Sequence, residues 1–85
     1  MPSTVLITGA SSGIGLEFAR IFAREGYDLI LVARNKDALE ALAKELESVQ
    51  VTVISKDLSL SGSPQEVYDI LIAKNIDIEI LVNNA

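Results

Sequence analysis

Val5-Leu6-Ile7-Thr8-Gly9-Ala10-Ser11-Ser12-Gly13-Ile14-Gly15 passes from a short apolar run into a glycine-rich loop and then into a helical pattern. An apolar run that stops at a Gly/Ser cluster reads as a strand buried on both sides. Ile14, Phe18, Ile21 and Phe22 follow at i, i+4, i+7 and i+8, so they mark one apolar face of a helix that Gly26 ends. That face is expected to pack on the sheet. A plain strand-to-helix turn needs one glycine. Glycines at 9, 13 and 15 allow a tight turn and a close approach of the backbone to a ligand. The amides at the start of the following helix carry about half a positive charge and point outward, which suits a pyrophosphate. A Walker loop would end Gly-Lys-Ser/Thr, whereas Gly15 is followed by Leu16-Glu17. Gly9, Ser11, Ser12, Gly13, Ile14 and Gly15 are therefore the expected phosphate-binding residues.

Outward from this loop, apolar runs and amphipathic segments alternate to the end of the chain. Leu29-Ile30-Leu31-Val32 is a second strand, broken by Arg34-Asn35. Leu39, Leu42, Ala43 and Leu46 form the next helical stripe, with Lys36, Asp37, Glu40, Lys44, Glu45 and Glu47 on the opposite side. Val49 to Ile54 is β-branched apart from Gln50 and reads as a third strand that ends at Ser55-Lys56-Asp57. Ser63-Pro64-Gln65-Glu66 reads as a helix start, with Ser63 as N-cap, Pro64 at the first helical position and Glu66 placed for a capping box. Val67, Ile70 and Leu71 are its buried face, and Ile78 to Val82 is a fourth strand.

The order is β-α-β-α-β-α-β, an α/β pattern of successive crossover units. Right-handed crossovers place the strands in the order 3-2-1-4, which is one half of a doubly wound, Rossmann-type parallel sheet. Ligands of such sheets bind outside the carboxyl ends of the strands where the strand order reverses. Thr8-Gly9 and Asn83-Asn84 are thus expected to face one cavity.

Composition narrows the function classes. Eighty-five residues allow one small domain, here residues 1–85, because so short a chain cannot bury two cores. A hydrophobic fraction of 49% and a mean hydropathy of +0.37 are too apolar for disorder. The net charge of −5, with no cluster of Lys and Arg, argues against nucleic acid or an anionic membrane as partner. Zero cysteines and zero histidines exclude a disulfide framework, a Cys/His zinc site and chemistry by imidazole or thiolate. There is no basic n-region ahead of the first apolar run, and no run approaches the roughly 20 residues a membrane helix needs. A cytoplasmic location is the expectation.

With Thr8, Gly9, Gly13 and Gly15 in the pattern Thr-Gly-x-x-x-Gly-x-Gly, the chain resembles the short-chain dehydrogenase/reductase family. Two further motifs match in order: an Asp after the third strand, here Asp57, and an Asn-Asn-Ala-Gly segment after the fourth, here Asn83-Asn84-Ala85. The resemblance implies that Asp57 bonds the adenine amino group, that Leu58 flanks the ring, and that Asn84 and Ala85 line the ribose and steady the central sheet. Cofactor choice turns on the end of the second strand. An acidic residue there would hold the ribose hydroxyls of NAD, whereas this chain has Ala33-Arg34, and a guanidinium suits the 2′-phosphate of NADP. NADP is expected, with NAD the lesser alternative. Ser12 stands where many NADP-preferring relatives of the family carry a basic residue.

The resemblance implies hydride transfer between nicotinamide and a small carbonyl or alcohol, assisted by a Tyr-x-x-x-Lys pair, a Ser and a further Asn. Tyr27 is followed four residues on by Leu31 and Tyr68 by Ile72, so neither tyrosine has that lysine, and both are expected at element edges. The 85 residues alone are therefore expected to be inactive, as the cofactor-binding part of an oxidoreductase. The fourth strand becomes a sheet edge, which predicts self-association through it. The other reading is a non-catalytic half-Rossmann module that binds a nucleotide or assembles. A methyltransferase half is more distant, since its loop would usually read Gly-x-Gly-x-Gly.

Overall fold

The computed structural model describes residues 3–11, 13–57 and 62–83, with Ser63 as backbone only. Seven elements alternate along it: β1 (Thr4–Thr8), α1 (Gly13–Arg24), β2 (Asp28–Ala33), α2 (Lys36–Glu45), β3 (Val51–Ser55), α3 (Ser63–Ala73) and β4 (Ile80–Asn83). The strands form one four-stranded sheet in the order β3-β2-β1-β4, and every pairing is parallel. Both the α/β class and the expected 3-2-1-4 order are met. Elements existed where the apolar periodicity placed them, and their ends moved: β3 starts at Val51 and β4 at Ile80, each two residues later than their apolar runs.

Alternation along the strands builds two cores. Val5, Ile7, Leu29, Leu31 and Ala33 turn to one side and meet Ala19 and Ala23 of α1 and Leu39, Leu42 and Leu46 at α2. Leu6, Ile30, Val32 and Ile54 turn to the other and meet Val67 and Leu71 of α3. Because β1 and β2 are covered on both faces, both read as unbroken apolar runs.

The packing face of α1 corrects the expectation from its periodicity. The buried residues of α1 are Gly15, Ala19 and Ala23. Ile14, Phe18 and Ile21 are exposed, at 66%, 36% and 45% of their surface, while Phe22 is half-buried and stacks edge-on against Tyr27 with centroids 5.4 Å apart. Small side chains let the helix axis approach the sheet closely, and the bulkier residues one step round the helix turn away. At α3, Gly62 with φ +91° is the N-cap in place of Ser63, which moves Pro64 to the second helical position. The Glu66 carboxylate bonds the Lys56 ammonium. Tyr27 lies between α1 and β2 as expected, but Tyr68 sits within α3 on its exposed flank.

Candidate functional site

The carboxyl ends of β1, β2 and β3 lie side by side, because Thr8 pairs with Val32 and Ala33 with Ser55 in the sheet register. Residues 9, 34 and 56 therefore leave the sheet along one rim. Gly9 and Gly13 have φ of +65° and +60°, a left-handed conformation that a side chain disfavours by roughly 1–2 kcal/mol. They turn the chain from β1 into α1, and Ala10 is completely buried where its amide reaches Val32 O at 3.4 Å. Ser11 is half-buried beside it.

The loop can hold an anion on two counts. A Cβ built on Gly13 would meet no atom within 4 Å, so open space lies against the backbone there. The first turn of α1 has no acidic residue, so no side chain of that turn offsets the positive end of the helix. Ile14, with its exposed side chain, and the buried Gly15 continue that turn.

Arg34 follows β2 on the same rim and is exposed. Its guanidinium makes no ion pair among the described residues. Its backbone is held: Lys56 N donates to Ala33 O at 3.0 Å, and Ser55 Oγ donates to Arg34 O at 3.1 Å. Asn35 Oδ1 then accepts from Ala38 N at 3.0 Å and opens α2. Asp57 is half-buried just beyond β3.

On the other side of β1, Thr8 Oγ1 lies 3.1 Å from Asn83 Oδ1 and 3.4 Å from Val82 O. The hydroxyl of β1 thus donates to the end of β4, 75 residues away in sequence. Thr8 and Asn83 are joined at the point of strand reversal; the single cavity expected for Thr8-Gly9 and Asn83-Asn84 involves Asn84, which lies outside the described residues.

Gly9, Ser11, Gly13, Ile14 and Gly15 follow β1, Arg34 follows β2 and Asp57 follows β3, so all of them leave the sheet from its carboxyl rim. Ser12, Leu58, Asn84 and Ala85 lie outside the described residues. The roles of Ser55 and Asn35 were not read from the sequence. An Asn followed by Lys36-Asp37-Ala38 is an N-cap signal that could have been found. The Ser55 bond spans 21 residues and has no local signature. Among the described residues no group of three or more His, Cys, Asp or Glu side chains could hold a metal ion, and no helix is long and apolar enough to cross a membrane.

Residues 3–85 match the family model described as short chain dehydrogenase. The very-long-chain 3-oxoacyl-CoA reductase of Coccidioides immitis is 44% identical over 86 residues, which cover 96% of this chain and 25% of that protein. A short-chain dehydrogenase from Sphingobium yanoikuyae, solved in complex with NADPH, superposes with a TM-score of 0.86 at 50% identity, over 100% of this chain and 34% of the other. L-sorbose reductase from Gluconobacter frateurii, solved with NADPH and L-sorbose, gives a TM-score of 0.92 at 37% identity, over 99% of this chain and 33% of the other. The chain thus spans about a quarter of the curated relative and about a third of the solved ones.

Proposed function

From the premise that the chain belongs to the short-chain dehydrogenase family, we propose that it is the NADP(H)-binding portion of an oxidoreductase. The observation that carries this reading is the left-handed turn at Gly9 and Gly13, with open space against Gly13, on the same rim as the exposed Arg34. The NADPH held by the Sphingobium and Gluconobacter relatives supports the same cofactor here.

Each residue then has a task. Amides from Gly9 to Gly15, with the Ser11 and Ser12 hydroxyls, hold the pyrophosphate at the positive end of α1. Arg34 takes the 2′-phosphate in a charge-assisted bond. Asp57 accepts from the adenine amino group, Leu58 flanks the ring, and Asn84 and Ala85 line the ribose. When bound, the dinucleotide supplies or accepts the hydride, and the whole protein would exchange it with a small carbonyl or alcohol. These 85 residues contain no Tyr-x-x-x-Lys, so they bind and orient the cofactor without turning it over.

We place the chain in the cytoplasm, with a dinucleotide as its partner and self-association through β4. The exposed Leu81, at 61%, and the half-buried Ile80 and Val82 support that association. Sedimentation of a monomer at high concentration would contradict it.

Titration with NADPH and NADH, followed by nicotinamide fluorescence, tests the cofactor assignment. Saturable binding that favours NADPH is expected, with Arg34→Asp removing about ten- to a hundredfold of that preference, as for loss of a bond to a charged group. Equal affinity for both dinucleotides in the unaltered chain would overturn it.

A further inference from the structure

The last rung of the β2/β3 ladder pairs Ala33 with Ser55, and Lys56 N closes it on Ala33 O at 3.0 Å. One bond reaches further. Ser55 Oγ donates to the carbonyl of Arg34 at 3.1 Å, past the end of the strand. Two residues on, α2 has begun, anchored by the Asn35 side chain on Ala38 N at 3.0 Å. Arg34 therefore sits on a short link between two fixed ends, and the Ser55 hydroxyl holds the peptide that joins it to Asn35.

We propose that Ser55 is a positioning residue for cofactor choice, which acts by fixing the backbone of Arg34 so that its guanidinium is aimed at the 2′-phosphate. The inference rests on Arg34 as the ligand of that phosphate. A guanidinium on a long side chain gains from a phosphate only what is left after the chain and its backbone have been ordered. A backbone already held by Ser55 needs less ordering at the moment of binding. Without the hydroxyl, the Arg34 carbonyl turns to water, because both residues are exposed. The fold then loses little, and the loss appears where Arg34 is used. The 2′-phosphate is the group that separates NADPH from NADH, so Ser55 should act on their ratio.

The test is a set of dissociation constants for NADPH and NADH, with thermal melting followed by circular dichroism. For Ser55→Ala, NADPH should bind about two- to tenfold more weakly, the range of one ordinary hydrogen bond. NADH affinity and the melting temperature should stay as they are, and Ser55→Thr, which keeps the hydroxyl, should restore the preference. Arg34→Ala should abolish the preference, and adding Ser55→Ala to it should change nothing more. An unchanged NADPH-to-NADH ratio in Ser55→Ala, or equal weakening of both dinucleotides, overturns the role of Ser55 while leaving that of Arg34 standing. An Arg34→Ala chain that keeps the unaltered ratio, or an unaltered chain that binds neither dinucleotide, overturns the reading of Arg34 and the role of Ser55 with it.

Discussion

β2 and β4 are both written in Ile, Leu and Val, and they end up in opposite surroundings. From Leu29 to Ala33 every residue of β2 is buried, whereas along β4 half-buried and exposed residues alternate from Ile80 to Asn83. The difference is one of neighbours. β2 has β1 and β3 at its sides and residues of α1, α2 and α3 in the cores on its two faces. β4 has β1 on one side only, and its Leu81 stands open at 61%. The same contrast recurs within α1, where Ala19 and Ala23 are buried and Ile14, Phe18 and Ile21 border a shallow apolar hollow on the outside. Apolar composition records what a segment can bury against, and position in the sheet decides how much of it these residues do bury.

The largest effect should separate the two strands. Leu31→Ala empties a fully buried position and should cost about 2–5 kcal/mol, a large share of the ~5–10 kcal/mol that holds a small domain. Leu81→Ala, in the open strand, should stay within roughly 0.5 kcal/mol for the monomer. Urea unfolding of both variants decides it, and equal costs would break the comparison.

The two flanks of α1 give the next effect. Ala19→Leu forces bulk into a position with no exposed surface and should destabilise by about 1–3 kcal/mol. Ile21→Ala on the other flank should be close to neutral. Thr8→Val is smaller still. It keeps the shape of a buried residue and removes the tie to Asn83 Oδ1, so about 1 kcal/mol is expected from thermal unfolding, together with sharper fraying of β4 in amide exchange.

The smallest effect lies at the α1–α2 seam. Arg20 donates to both oxygens of Glu45, at 2.7 and 3.1 Å, and to Glu17 at 2.9 Å. The hydrogen bonds from Arg20 hold the Glu45 carboxyl below its usual pKa. A carboxyl whose pKa is depressed on folding contributes above its unfolded pKa and loses that contribution as the pH falls through its folded value. Glu45→Gln should therefore lower stability slightly at neutral pH and match the unaltered chain in acid. Both groups are solvated, so the difference should be near the limit of a denaturation curve.

Much of the fold was legible because β1 and β2, covered on both faces, leave continuous apolar runs, and because the right-handed crossover rule then orders the strands. The side of α1 that packs was not legible. Periodicity marks a stripe of large residues, yet Gly15, Ala19 and Ala23 form a second stripe whose merit is smallness, which hydrophobicity barely registers. The site divides in the same way. Gly9, Gly13 and Gly15 announce themselves by spacing and Arg34 by its place after a strand. Ser55 becomes meaningful only when β3 is laid beside β2, since its bond to Arg34 is a matter of register and not of local pattern.

The central claim is that the carboxyl rim at β1, β2 and β3 is a dinucleotide site, and amide mapping by two-dimensional NMR during titration with NADPH tests it most directly. The account predicts saturable shifts at Gly9, Ser11, Gly13, Ile14 and Gly15, with Arg34 and Asp57 moving at the same midpoint and Arg34 falling silent when NADH replaces NADPH. Shifts confined to the opposite end of the sheet, at Ser3, Glu25, Gly26 and Tyr27, or no shifts at all in a chain that shows native dispersion, would contradict it.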